Sequence, residues 1–127
     1  MGNLLWVMLG GAVGSGARYL VAGSLMKEAS TRFPYGTLTV NLVGCLAIGL
    51  LATLFAEATG ARPELRLVWI VGVLGGFTTF SSFGLETLEL LNNGRVASAL
   101  IYVMVSTLAG VGLAFLGTRL ATALAGS

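Results

Sequence analysis

The chain has 127 residues, enough for one domain; 56% are hydrophobic, 9% are charged, the formal net charge is +2 and the mean hydropathy is +0.93. So much apolar surface exceeds what a body of this size can hide from water, which excludes a soluble globular fold and leaves lipid as the solvent. Histidine is absent and Cys45 is the single cysteine, so there is no intrachain disulfide, the usual general base is missing, and neither an enzyme nor a nucleic-acid partner is expected.

Crossing a bilayer takes about 20 apolar residues. Four such stretches occur in chain order, at about residues 3–25, 36–56, 67–91 and 96–120. The reading is therefore a single all-α integral membrane domain, residues 1–127, of four transmembrane helices joined by short loops. In the first stretch Gly10 and Gly14 form a GxxxG pair, which lets helix backbones approach closely where lipid removes the hydrophobic drive. The first basic residue is Arg18, so no positive n-region precedes this stretch and it is expected to stay uncleaved.

The second stretch carries Asn41 about one and a half helical turns from its start. Its amide offers two donors to a desolvated anion, or equally a hydrogen bond to a neighbouring helix. Both readings stay open on spacing alone.

The third stretch holds GGFTTFSSF at residues 75–83. Helical spacing puts Phe80, Phe83 and Thr87 on one face, with Thr79, Ser82 and Glu86 beside it. Phenylalanine stripes usually pack, but aromatic ring edges are positive and can meet an anion. The glycine pair Gly75 and Gly76 predicts a helix broken near its centre, with carbonyls between Gly75 and Thr79 released toward another partner. No carboxylate lies beside them, which favours a weakly charged cation such as sodium over a divalent one. A second GxxxG, Gly72 and Gly76, marks close packing.

In the fourth stretch Ser98, Tyr102 and Ser106 recur every four residues, a polar stripe that Gly110 continues as a gap. Gly110 and Ala114 form a further small pair. Arg18 and Glu86 are the costly intramembrane charges; the first and third helices run the same way, so the two can share a vestibule, pair with each other, or snorkel.

Orientation follows the Lys and Arg of short loops. One side carries Arg62, Arg66 and Arg119; the other carries Lys27, Arg32 and Arg95, three against three. A chain without bias can insert both ways, which makes an antiparallel homodimer physically accessible.

Three segments together resemble the Fluc family of fluoride channels, also called CrcB proteins. They are GGxxGSxxR at Gly10, Gly11, Gly14, Ser15 and Arg18; GTLxxNxxG at Gly36, Thr37, Leu38, Asn41 and Gly44; and GGFTTFSSF. The resemblance covers essentially the whole chain. It implies a passive fluoride channel of the bacterial inner membrane, built as an antiparallel, dual-topology homodimer with two pores, that relieves fluoride toxicity by export. It further implies Phe80 and Phe83 along the ion route, Asn41 as a fluoride donor, Tyr102 and Ser106 on a polar track that departs from the family at Gly110, and a structural sodium on the Gly75 and Thr78 carbonyls.

Two rivals remain. A small multidrug-type exporter needs a membrane carboxylate in its first helix, where this chain has Arg18 and no acid. A non-transporting assembly subunit would account for the glycines but not for Asn41, Phe80 and Phe83.

Overall fold

The computed structural model describes residues 1–28, 33–58 and 60–126, the side chains of Lys27 and Glu28 excepted. Arg32, used above for orientation, lies outside the described residues. Among the described residues four helical spans are long and apolar enough to cross a membrane: Gly2–Met26, Tyr35–Glu57, Pro63–Asn92 and Val96–Ala125. The third begins earlier than its apolar run because Pro63 takes the first helical position, where its missing N–H costs nothing. It also contains a π-helical segment, Leu67–Leu74, and the fourth contains another, Val105–Ala109.

The turn at NNGR between the third and fourth spans is closed by its backbone. Gly94 adopts φ +73, a left-handed conformation that glycine tolerates without a Cβ penalty. The Arg95 N–H reaches back to the Leu90 carbonyl at 2.8 Å, and the Gly94 N–H to Leu91 at 3.0 Å, capping the helix end.

Small residues decide which spans touch. A Cβ on Gly72 would lie 2.8 Å from the Gly10 Cα, and one on Gly14 would lie 2.9 Å from the Phe77 amide nitrogen. The first and third spans therefore meet backbone to backbone. The second and fourth do the same, with Gly49 against Ala114 and Gly117 against the backbone of Leu46 and Leu50. The expected pair on the fourth span is thus joined by Gly117, while Gly110 is buried against Cys45.

Little of the molecule is internal. Among the described residues Val40, Leu74, Leu90, Ala99, Tyr102 and Ala121 are the buried apolar ones, and Tyr102 and Val40 are the largest fully enclosed side chains. The accessible surface is 7959 Å² for 13.0 kDa, against about 6300 Å² for a soluble monomer of that mass. The excess is apolar side chains standing outward from every span, as a chain solvated by lipid requires.

Candidate functional site

The site is organised by two residues of the third span. Thr78 (φ −83, ψ 157) and Thr79 (φ −150, ψ 119) are extended and separate the helical segments Gly75–Phe77 and Phe80–Asn92. The glycine pair is not where the backbone opens. Gly75 keeps helical angles (φ −62, ψ −39), and Gly76 is small because the Gly11 carbonyl would lie 2.6 Å from any Cβ placed on it.

Hydrogen bonding explains why the opening falls two residues later. The Thr79 N–H donates to Asn41 Oδ1 at 2.8 Å, and Asn41 Nδ2 donates to the Thr79 carbonyl at 3.0 Å. One side-chain amide thus satisfies both backbone groups of an extended residue. The Ser82 N–H is taken by Thr79 Oγ1 at 3.3 Å, an N-cap for the following helix. In an uninterrupted helix those two N–H groups would serve the carbonyls of Gly75 and Thr78. Those two carbonyls have lost their helical donors. The Gly76 carbonyl, by contrast, receives Arg18 Nε at 3.1 Å, with Ser15 Oγ at 3.5 Å.

Arg18 and Glu86 line one cavity of about 480 Å³ together with Thr37, Thr79 and Ser82. They form no ion pair. Glu86 instead accepts from Thr37 Oγ1 at 2.6 Å and from the Tyr102 hydroxyl at 2.9 Å, one bond to each carboxylate oxygen. Tyr102 is fully buried and packs against Phe83, with ring centroids 5.1 Å apart and the rings tilted by 55°. It therefore lines neither this cavity nor the next.

A second cavity, of about 350 Å³, gathers Asn41, Gly75, Thr78, Phe80, Phe83 and Ser106. Thr79 borders both cavities and is the wall between them. Ser106 Oγ is buried and has no partner among the described residues, which leaves one hydroxyl free to serve whatever occupies the space. Phe80 and Phe83 stand 5.5 Å apart by ring centroids, yet Phe80 is 83% exposed in the single chain.

The residues singled out from sequence thus divide by place. Asn41, Phe80, Phe83, Gly75, Thr78 and Ser106 meet in one cavity, Arg18, Ser82 and Glu86 in the other, with Thr79 between. Thr37 and Ser15 stand in the motifs quoted from the sequence but were given no role there. Thr37 lies four residues before Asn41, hence on the same helix face, and that spacing was the available signal.

Comparison with protein families matches residues 5–118 to the CrcB-like proteins, described as camphor resistance (CrcB). The chain belongs to the CrcB family. A Methylobacillus flagellatus protein named fluoride-specific ion channel FluC is 45% identical over 121 residues, covering 94% of each chain. Proteins of the same name from Anaeromyxobacter dehalogenans and Rhizobium meliloti are 44% identical over 126 residues and 46% over 116. Those alignments cover 99% and 91% of this chain, and 100% and 90% of theirs. This CrcB protein is accordingly a multi-pass bacterial membrane protein and not an enzyme.

Proposed function

We propose that the chain is a passive, fluoride-selective channel that exports the ion down its electrochemical gradient and works as an antiparallel homodimer. The observation that carries this reading is the mid-span cavity where Asn41, the Phe80 and Phe83 rings and an unpartnered Ser106 hydroxyl converge. Fluoride is small and strongly hydrated, so a pore must replace water with close donors without gripping the ion. Amide, hydroxyl and ring-edge groups are intermediate in strength, and the cavity is built from these. The guanidinium of Arg18 stays in the other cavity, where it raises the local anion concentration without sitting in the narrow part. A negative interior potential favours anion exit by about 2.3 kcal/mol per 100 mV, so no coupled energy source is needed.

The homodimer is supported by Phe80, which this chain alone leaves bare, and by the three-against-three charge count. A second, inverted copy would cover Phe80 and close the mid-span cavity. The helix break at Thr78 and Thr79 is read as the centre of that assembly. Sodium fits there: the Gly75 and Thr78 carbonyls have lost their helical donors and would hold the ion. When bound, it supplies fixed positive charge that neutralises carbonyl dipoles. Asn41 keeps those carbonyls free by occupying Thr79, and its second Nδ2 hydrogen is left to face the cavity.

The test is purified protein in liposomes loaded with potassium fluoride and potassium chloride, opened with valinomycin. Rapid fluoride loss with chloride retained is expected. Proton-coupled loss of an aromatic cation would instead support a small multidrug-type exporter, and no flux of any kind an assembly subunit.

A further inference from the structure

A third cavity, of about 470 Å³, is lined by Trp6, Arg62, Glu64, Leu65 and Val68 and shares no residue with the two described above. The first and third spans meet backbone to backbone as far out as Gly10, where a Cβ would run into the Val68 carbonyl. Trp6 is one turn before Gly10, and Arg62–Leu65 begin the third span, so the cavity opens where the two helices part at one end of the bundle. That end is at the membrane–water boundary by three marks. It carries both tryptophans of the chain, Trp6 and Trp69, it carries Arg62 and Arg66, and it follows the polar connection after Glu57.

Arg62 and Glu64 face this one cavity as opposite charges, and no ion pair joins them. Each remains available to a ligand that itself carries both signs. We propose that the cavity binds the headgroup of a zwitterionic phospholipid with a primary ammonium, phosphatidylethanolamine. The phosphate accepts from the Arg62 guanidinium, and the ammonium donates to the Glu64 carboxylate. The Trp6 indole borders the headgroup, and the lipid's glycerol and upper acyl carbons run along Leu65 and Val68.

The charge pattern selects among lipids. Glu64 repels a headgroup of net negative charge, while a choline headgroup has no N–H to give it. The cavity volume falls in the range of small-ligand sites. Leu65 and Trp6 are 45% and 44% exposed, an apolar wall continuous with the lipid-facing surface, which favours a lipid over the free headgroup. A bound lipid would brace the splayed ends of the first and third spans, whose contact further in positions Gly76 and Arg18.

Detergent-solubilised full-length protein, titrated with phosphatidylethanolamine, phosphatidylcholine or phosphatidylglycerol of identical acyl chains, tests this by native mass spectrometry. Wild type should retain the ethanolamine lipid at least tenfold better than the choline lipid. Glu64→Gln should bring that ratio to about one and raise phosphatidylglycerol retention, whereas Arg62→Gln should lower retention of the ethanolamine and choline lipids alike at least several-fold, and Arg62→Lys should keep most of it. Equal retention of ethanolamine and choline lipids by wild type, unchanged preference in Glu64→Gln, or undiminished retention in Arg62→Gln overturns the proposal. Displacement by millimolar glycerophosphoethanolamine overturns the lipid as the source. Independently of folding in those variants, a Trp69→Phe protein in phosphatidylcholine vesicles should show stronger Trp6 quenching by brominated phosphatidylethanolamine than by brominated phosphatidylcholine at equal mole fraction. Equal quenching contradicts it.

Discussion

Asn41 and Thr79, 38 positions apart, exchange two hydrogen bonds of 2.8 and 3.0 Å, so that a side-chain amide takes the place of a backbone partner for an extended residue inside the membrane. In hydrocarbon an unpaired N–H or C=O costs several kcal/mol, which makes this pair a condition for any opening at that depth. The same pair diverts the donor that would otherwise close over the Gly75 carbonyl.

Replacing Asn41 should therefore act on fold and flux together. Asn41→Ala strands two part-buried backbone groups, at up to about 1–3 kcal/mol each, and should lower thermal stability. Asn41→Asp keeps an acceptor for the Thr79 N–H but loses the donor to its carbonyl and adds a negative charge. Fluoride flux should fall at least tenfold in both, measured by electrode in liposomes, and wild-type flux in Asn41→Asp would contradict the role.

Ser106 offers the opposite separation. Its hydroxyl is buried without a partner, so Ser106→Ala should leave thermal stability unchanged or raise it, by up to about 1 kcal/mol. Fluoride flux should nonetheless drop several-fold. A stable variant with full flux would remove the hydroxyl from the ion route.

In the proposed channel the Phe80 and Phe83 rings would meet the ion with their edges. Phe80→Ile and Phe83→Ile keep apolar bulk but lose the quadrupole. Each should reduce flux at least tenfold while size-exclusion chromatography still reports the dimer; full flux in both variants would end the ring-edge argument.

Much of this arrangement was legible in the chain itself, because span length and helical spacing are local properties. The four apolar runs and the NNGR turn follow from them, whereas a shared place for Asn41, Phe80, Phe83 and Ser106 was implied only by the family resemblance. What was not legible is contact between spans. Nothing in the spacing says that Glu86 receives Thr37 and Tyr102 and not Arg18, since residues 37, 86 and 102 lie on three different spans. The same limit moved the backbone opening. Glycines at 75 and 76 suggest it there, but an extended residue needs a hydrogen-bond partner, and Asn41 supplies one only at Thr79.

Close packing of the second and fourth spans rests on Gly49, where any Cβ would meet the Ala114 backbone, with its carbonyl carbon 2.8 Å away. Gly49→Val should destabilise by about 1–3 kcal/mol through overpacking. Gly112→Ala, with no atom within 4 Å of the new Cβ, should be neutral or stabilising by up to about 1 kcal/mol. Thermal unfolding in a fixed detergent compares them, and equal losses would contradict the packing.

Dual topology makes a countable prediction. Asn93 is exposed at the turn between the third and fourth spans, so Asn93→Cys in a Cys45→Ser background places one thiol at a single end of the molecule. An impermeant maleimide added outside sealed vesicles should label about half the copies, and full labelling after permeabilisation completes the count. Labelling of all or none from outside means one orientation and removes the antiparallel dimer.

The most direct measurement of the central claim is the reversal potential of the protein in a planar bilayer with potassium fluoride on both sides at unequal concentration and potassium chloride then added to one side. A fluoride-selective channel holds its potential at the fluoride equilibrium value and does not move when chloride is added. A reversal potential that shifts with chloride, or follows potassium, would contradict it.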